Sequence, residues 1–436
     1  MSDATAEPDK THRAIDAVWR IESARVIAAV ARYTSDVALA EDCAHDALVA
    51  ALEQWPAMGI PDNPGAWLTA AAKRRAIDLA RRIAMTARKA DEVTAGLLAL
   101  QDDAVDQLAH ALDDDVGDEL LGLVFMTCHP ALPAEARVAL TLRLVGGLTT
   151  DEIARAFMTN EPAIAQRIVR AKRTLRDERV TFEVPRGSAR DERVEPVLAV
   201  LYFIFNEGYA ATAGDDLLRP ELVRDALRLG RVLAELMPDE PEVHGLVALM
   251  EIQASRMGTR TNAKGEIVRL MDQDRTRWDR LLIQRGLAAL ARMEALGRVG
   301  PYGLQAAIAA CHARALTPGD TDWTRIAMLY DLLHELMPTP VVALNRAVAV
   351  SMAHGPAQGL VLVDALAREP SLREYHLLPS VRGDILARLG RYAEAGAEFL
   401  RAASLTQNAQ EQALLRARAA SCLHGFNAPP SSGSAR

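Results

Sequence analysis

Apolar residues recur at three- and four-residue spacing along almost the whole chain, the period of helices that each bury one face. Residues 12–32 carry the pattern as Val18, Ile21, Ala24, Val26 and Ile27, and residues 37–55 as Leu39, Cys43, Ala47, Leu48 and Leu52, ending at Pro56. Met58-Gly59-Ile60-Pro61-Asp62-Asn63-Pro64-Gly65 breaks the period and predicts a loop. A helix follows, with Pro64 near its start and Trp67, Ala71, Ile77 and Leu79 as core contacts. Four shorter helices are predicted over 118–127, 133–144, 150–157 and 161–178. The last two have the form of a helix-turn-helix, with Thr149-Thr150 and Asn160 as caps and Met158-Thr159-Asn160 as the turn. In its second helix Ile164, Ile168 and Leu175 face inward, which leaves Gln166, Arg167, Arg170, Lys172 and Arg173 for the surface. Such donors suit phosphates and guanine edges in a major groove.

From about residue 195 to 425 the pattern is a run of helices broken by Pro and Gly. Glu235-Leu236-Met237-Pro238 recurs as Glu335-Leu336-Met337-Pro338, 100 positions on. That distance is close to three periods of a ~34-residue tetratricopeptide unit. Leu389-Gly390-Arg391-Tyr392-Ala393-Glu394-Ala395, followed by Phe399 and Ala402-Ala403, has the spacing of such a unit, and His354-Gly355 stands in an equivalent turn 35 positions before Gly390. The reading is an α-solenoid of four to six stacked helix pairs, then a disordered tail from Pro429 to Arg436.

Composition narrows the class. Half of the 436 residues are hydrophobic but only 4% are aromatic, and Ala and Leu dominate, which favours an all-α fold over a β-sandwich or barrel. The first fourteen residues contain no apolar targeting segment, and no stretch of about 18 uncharged apolar residues occurs, so a cytoplasmic protein without a membrane partner is expected. Cys43, Cys128, Cys311 and Cys422 are far apart and imply neither a disulfide framework nor a zinc site.

The net charge of −8 speaks at first against nucleic acid, but it is unevenly placed. Residues 91–119 hold ten carboxylates and no Lys or Arg, whereas residues 120–190 are net +4. Residues 33–72 hold six carboxylates and no Lys or Arg, and residues 73–89 hold seven Lys or Arg against Asp78 alone. An acidic segment followed by a basic one fits two different partners, or two solvated helix faces.

Taken in order, these segments resemble an extracytoplasmic-function type sigma factor of bacterial RNA polymerase, of the kind that carries a tetratricopeptide-like C-terminal extension. Asp36 through Leu48 is similar to the helix of sigma domain 2 that docks on the polymerase clamp. Asn63 through Arg82 is similar to the part of that domain that reads the melted −10 strand. Ala139 through Arg143, Glu152-Ile153-Ala154 and Ile164 through Arg176 are similar to domain 4, the reader of the duplex −35 element. The resemblance implies that Glu41, Asp42, Asp46 and Leu48 bind core RNA polymerase. It implies that Met58, Asn63, Trp67, Lys73, Arg74, Arg75, Arg81 and Arg82 hold −10 DNA, and that Gln166, Arg167, Arg170, Lys172 and Arg173 contact −35 DNA. This sequence departs from the family at Arg74, where Asn is common, and at Cys43 and His45, where Leu and Gln are common.

The expected division is sigma domain 2 over 10–90, an acidic linker over 91–117, sigma domain 4 over 118–185, the helical extension over 190–425 and a tail over 426–436. At ~3.3 Å per residue, the 29-residue acidic stretch 91–119 reaches roughly 95 Å, enough for two domains to engage separate DNA elements. Cys128-His129 has no further His or Cys at ligand spacing and reads as packing and turn. Tyr202 through Tyr209 reads as a buried helix closing the first repeat, and Asp272-Gln273-Asp274-Arg275 with Trp278 as an internal Asp–Arg contact. No catalytic residues, metal or cofactor are indicated. The extension is expected to regulate, through polymerase, a partner protein or a ligand, or by holding the two DNA-binding domains together. The alternatives are a helix-turn-helix regulator with a helical sensor domain, acting without polymerase, and a scaffold with a vestigial helix-turn-helix. The Asp-rich helix discriminates against both, since neither has a use for it.

Overall fold

The computed structural model describes residues 6–90, 117–157, 159–185, 187–210, 218–406 and 408–426. Of the acidic linker and the C-terminal tail expected above, residues 91–116 and 427–436 therefore lie outside the described residues. Within them the fold is all-α: eighteen α-helices, short 3-10 turns and a single isolated bridge between Thr261 and Ile267. No described helix is long and apolar enough to cross a membrane. The chain divides into two compact units, 1–203 and 204–436.

In the first unit, α1 (Ala6–Thr34), α2 (Val37–Met58) and α3 (Pro64–Ala90) pack pairwise as a three-helix group. Val26, Ile27, Val30, Ala40, Ala44, Ala47, Ala51, Trp55 and Leu68 form its buried side. Alanine at every inward turn of α2 lets the neighbouring helices approach closely. The expected stop at Pro56 is passed by two residues. Pro56 stands inside the last turn, and the helix ends at Gly59, whose φ of +83° suits a glycine and whose N–H reaches the Trp55 carbonyl at 2.9 Å.

The second group of this unit is α4 (Gly117–Thr127), α5 (Ala134–Leu144), α6 (Thr150–Ala156) and α7 (Glu161–Asp177). Thr149 and Glu152 form a reciprocal capping box at the start of α6, with Glu152 N–H donating to Thr149 Oγ1 at 3.1 Å and Thr149 N–H to Glu152 Oε2 at 2.8 Å. Asn160 caps α7 by accepting the Ala163 N–H at 2.9 Å. Helix α8 (Ser188–Tyr209) holds the boundary between units; in the first of them Arg193 donates to the Phe125 carbonyl at 2.9 Å and Phe203 stacks on Phe157.

The second unit contains α9 (Pro220–Leu236), α10 (Pro241–Ala254), α11 (Arg280–Ala295), α12 (Pro301–Arg314), α13 (Trp323–Leu336), α14 (Pro340–His354), α15 (Pro356–Leu366), α16 (Leu377–Arg388), α17 (Tyr392–Leu405) and α18 (Ala409–Phe426). Most of these ten helices pack mainly on their neighbours in sequence, the order of a solenoid, while α12 packs chiefly on α10. Helix α14 shows how the core propagates: Val342 and Ala349 enter one apolar cluster, Leu344 and Ala347 the next. The repeated Glu-Leu-Met-Pro strings end α9 and α13 alike, with Met237 and Met337 N–H groups both 2.8 Å from the carbonyls of Leu233 and Leu333.

Between α10 and α11 the repeat is interrupted by a long loop. Arg275, buried there, donates to the carbonyls of His312 and Ala315 at 3.0 and 3.1 Å and to Thr321 Oγ1 at 2.9 Å, closing the end of α12 with a cation. The Asp–Arg contact expected in this loop forms between Asp272 and Arg269 at 2.7 Å, since Arg275 is committed to α12. Phe205 and Tyr209 are buried and stacked at 5.5 Å, whereas Phe203 of the same run is 51% exposed, so the run expected to be buried is buried only in part.

Helices α10 and α12 cross at Gly245 and Gly303, where a Cβ on Gly245 would stand 2.7 Å from the Gly303 backbone nitrogen. Gly245→Ala should therefore destabilise the solenoid by about 1–3 kcal/mol, although alanine is the better helix former. A thermal melt showing a gain in stability would contradict this crossing.

Candidate nucleic-acid interface

Asp36 starts α2 by accepting the N–H groups of Ala38 and Leu39 at 2.8 and 3.2 Å. From there the helical period sorts the carboxylates by direction. Val37, Ala40, Ala44, Ala47, Ala51 and Trp55 point inward, while Asp42, Asp46, Val49 and Glu53 share the exposed face. Leu48 is half-buried. Glu41 lies a hundred degrees from Asp42 around the helix, and it is only 4% exposed.

The loop after α2 projects Met58, 69% exposed, and Ile60 into solvent. Asn63 begins α3 by accepting the Ala66 N–H at 3.1 Å. Trp67 is half-buried with its ring edge-on to buried Trp55, centroids 5.3 Å apart, so its indole braces the loop from beneath. Farther along α3, Arg74, Arg75, Arg81 and Arg82 are exposed and Lys73 is half-buried, giving a cationic band on one helix. Arg75 approaches Asp46 of α2 to 3.8 Å.

On α7, Ile164, Ile168, Ala171 and Leu175 are buried, as the period required. Gln166, Arg170 and Arg173 stand on the exposed face, and Arg173 has a 3.4 Å partner in Asp177. Arg167 pairs with Glu135 of α5 at 2.8 Å. Lys172 is directed to another side of the helix, away from Arg170 and Arg173.

That side meets α2. Glu41 Oε1 accepts from Arg143 Nε at 2.8 Å, and its other oxygen accepts from Lys172 Nζ. Arg143 also reaches His45 Nε2 at 3.3 Å and the Leu148 carbonyl at 3.2 Å. Around this centre Arg176 pairs with Asp36 at 3.0 Å, Arg20 with Glu152 at 2.6 Å and Arg32 with Glu119 at 3.3 Å. Burial alone would raise the Glu41 carboxyl above its ordinary 4.5, but Lys172 and Arg143 outweigh burial and hold it lower. Sequence reasoning placed Glu41 and Lys172 on separate surfaces; the structure brings them together. The usable signal was the register of α2, which sets positions 41 and 45 beside the outward face rather than on it.

Comparison with known proteins bears on what this arrangement belongs to. Residues 20–85 match Sigma-70 region 2, and residues 123–175 match Sigma-70, region 4. Residues 193–294 match a family of unknown function (DUF6596). An uncharacterized protein of Rhizobium meliloti (strain 1021) is 42% identical over 394 residues, which cover 90% of this chain and 92% of that one. The chain belongs to the sigma-70 family.

It is a sigma factor of the extracytoplasmic-function type, with a C-terminal extension. In this sigma factor the region 2 match falls on α1 to α3 and the region 4 match on α4 to α7, so the pairs of Glu41 with Arg143 and Lys172 and of Arg20 with Glu152 join the two regions, while Arg176 and Glu119 stand just outside the region 4 match. Cys128 lies in the region 4 core with its Sγ 3.4 Å from Thr141 Oγ1, and burial pushes its thiol up, the setting of an inert packing residue. His129 accepts the Ala131 N–H at 3.2 Å and shapes a turn.

Because the folded-state pKa of Glu41 is lowered, its contribution to stability is complete above 4.5 and is lost as pH falls through the folded value. Melting temperatures of the sigma factor should therefore fall on the acid side, and the Glu41→Gln variant should show a flatter acid limb. Equal acid slopes for the two chains would contradict the pairing.

Proposed function

We propose that this sigma factor binds core RNA polymerase through the acidic outward face of α2 and directs it to particular promoters. Asp42 and Asp46, with Val49 between turns, offer charge and an apolar contact to a basic helical partner. The cationic band of α3, from Lys73 to Arg82, holds the melted −10 strand, and Met58 to Gly65 covers an extruded base, with Asn63 and Trp67 setting the loop. On α7, Gln166, Arg170 and Arg173 read the −35 duplex, while Arg167 and Lys172 approach its backbone once released from their carboxylates. The observation that carries this reading is the separation of one acidic face on α2 from two exposed cationic faces on α3 and α7. A regulator acting on duplex DNA alone has work for α7 and none for α2. The solenoid of α9 to α18 regulates the activity, which its independent core and its repeat architecture support, since stacked helix pairs present extended surfaces to partners.

Reversing Asp42 and Asp46 together to Lys should weaken binding to purified core polymerase by about tenfold or more, with −35 duplex affinity unchanged. Unchanged polymerase affinity would remove α2 from the interface. Arg170→Ala should cost about 1–3 kcal/mol at the −35 element and relax preference at one base pair; a uniform loss on all duplexes would make it a phosphate contact. Ending the chain after α8 should alter transcription in cells while leaving −35 binding in place, and a truncated chain that behaves as the full one would remove the regulatory role.

A further inference from the structure

Helix α13 buries one side and leaves the opposite side apolar as well. Ile326, Ala327 and Leu333 enter a core cluster with Leu304 and Ile308 of α12 and Val342 of α14, and Trp323 and Tyr330 pack against it. On the other side Met328, Leu332 and Leu336 are 56%, 50% and 56% exposed, where the helical period calls for polar groups. The apolar surface continues past both ends of the helix. Leu316, after α12, is exposed and shares a surface cleft with Arg325, and Val341 is exposed at the start of α14. Large apolar side chains gathered on one outward face mark a contact with another molecule.

The charges on the same face say what that molecule is. Arg325, Met328, Leu332 and Glu335 follow one another at steps of three, four and three residues, the a-d-a-d order of a coiled-coil seam. At 100° per residue they fall within about 80° of the helix circumference. All four are exposed, and among the described residues neither Arg325 nor Glu335 has an ion-pair partner. A second α13 laid antiparallel, about a two-fold axis level with Tyr330, sets Arg325 against Glu335 of the copy and Met328 against Leu332 of the copy. Two apolar layers then lie between two ion-paired ones. A parallel copy would set Arg325 against Arg325 and Glu335 against Glu335, and a purely apolar partner would leave both charges unanswered. Complementarity to itself under a two-fold rotation is the property of an isologous interface.

We propose that α13 is a homodimer contact, which pairs antiparallel with α13 of a second copy through Arg325, Met328, Leu332 and Glu335. Leu336 flanks the seam, and Leu316 and Val341 extend it at its borders. One helix of 14 residues with its borders offers less than the ~800 Å² per partner of a stable dimer, so dissociation falls in the micromolar range. The chain's own concentration then sets the dimer fraction. This pairing lies within the helical extension and does not rest on the sigma reading.

Sedimentation velocity of the full chain over a micromolar concentration series tests it. The parent should pass from monomer to dimer across the series, and Leu332→Glu should raise the dissociation constant by about tenfold or more with helix content unchanged by circular dichroism. Arg325→Glu and Glu335→Arg each place like charges in both end layers, so each alone should weaken the dimer by about tenfold or more. Mixed in equal amounts, these two chains should form a heterodimer, because every end layer then holds one acid and one base. The double variant carrying both substitutions should self-associate as the parent does. A parent chain that stays monomeric throughout, or a dimer that survives Leu332→Glu, would overturn the contact. Charge variants that remain monomeric when mixed would overturn the antiparallel register. A monomeric parent in which Leu332→Glu weakens binding to core polymerase would give the face to that partner instead of a second copy.

Discussion

A carboxylate with almost no access to water cannot keep its charge unless cations are brought to it. Glu41 is in that position: the helix that carries it is otherwise buried through small and apolar side chains, and its partners come from 102 and 131 residues away in sequence. The whole placement of α1 to α3 against α4 to α7 must satisfy this one group. Buried ion pairs add little net stability compared with a well-packed apolar replacement, but they penalise every arrangement that leaves a charge alone. The Glu41 centre therefore favours the one packing that keeps its three charges paired, more than it adds to the stability of the fold.

The same charge economy explains the uneven distribution of acid and base along the chain. A net of −8 conceals a carboxylate-only stretch between two regions whose basic residues gather on α3 and α7. Negative charge on α2 and positive charge on α3 and α7 occupy separate faces, and where α2 meets its neighbours part of each set neutralises the other. The solenoid is held by different means: short-range apolar clusters passed from helix to helix, glycine crossings, and Arg275 seated under the end of α12.

Local features were legible in the amino-acid order. The helix-turn-helix, its Asn160 cap, its inward Ile164, Ile168 and Leu175, and the twin Glu-Leu-Met-Pro helix ends all follow from interactions within a few residues. Pro56 misled by two residues because the helix carries the ring in its last turn and closes at Gly59. Glu41, Arg143 and Lys172 could not be joined from sequence, because helical period reports which face a side chain occupies and nothing about which distant helix meets that face. Arg275 was hidden for the same reason: its carbonyl partners lie on another repeat. The candidate site was thus legible as three charged faces, and illegible where one face folds against another.

Run-off transcription with purified core RNA polymerase over a promoter library tests the central claim most directly. The account predicts transcripts that start at a restricted set of promoters and appear only when the chain is added. Sequence-specific duplex binding with no association with core polymerase at low salt, and no added transcript, would contradict it and leave a helix-turn-helix regulator in its place.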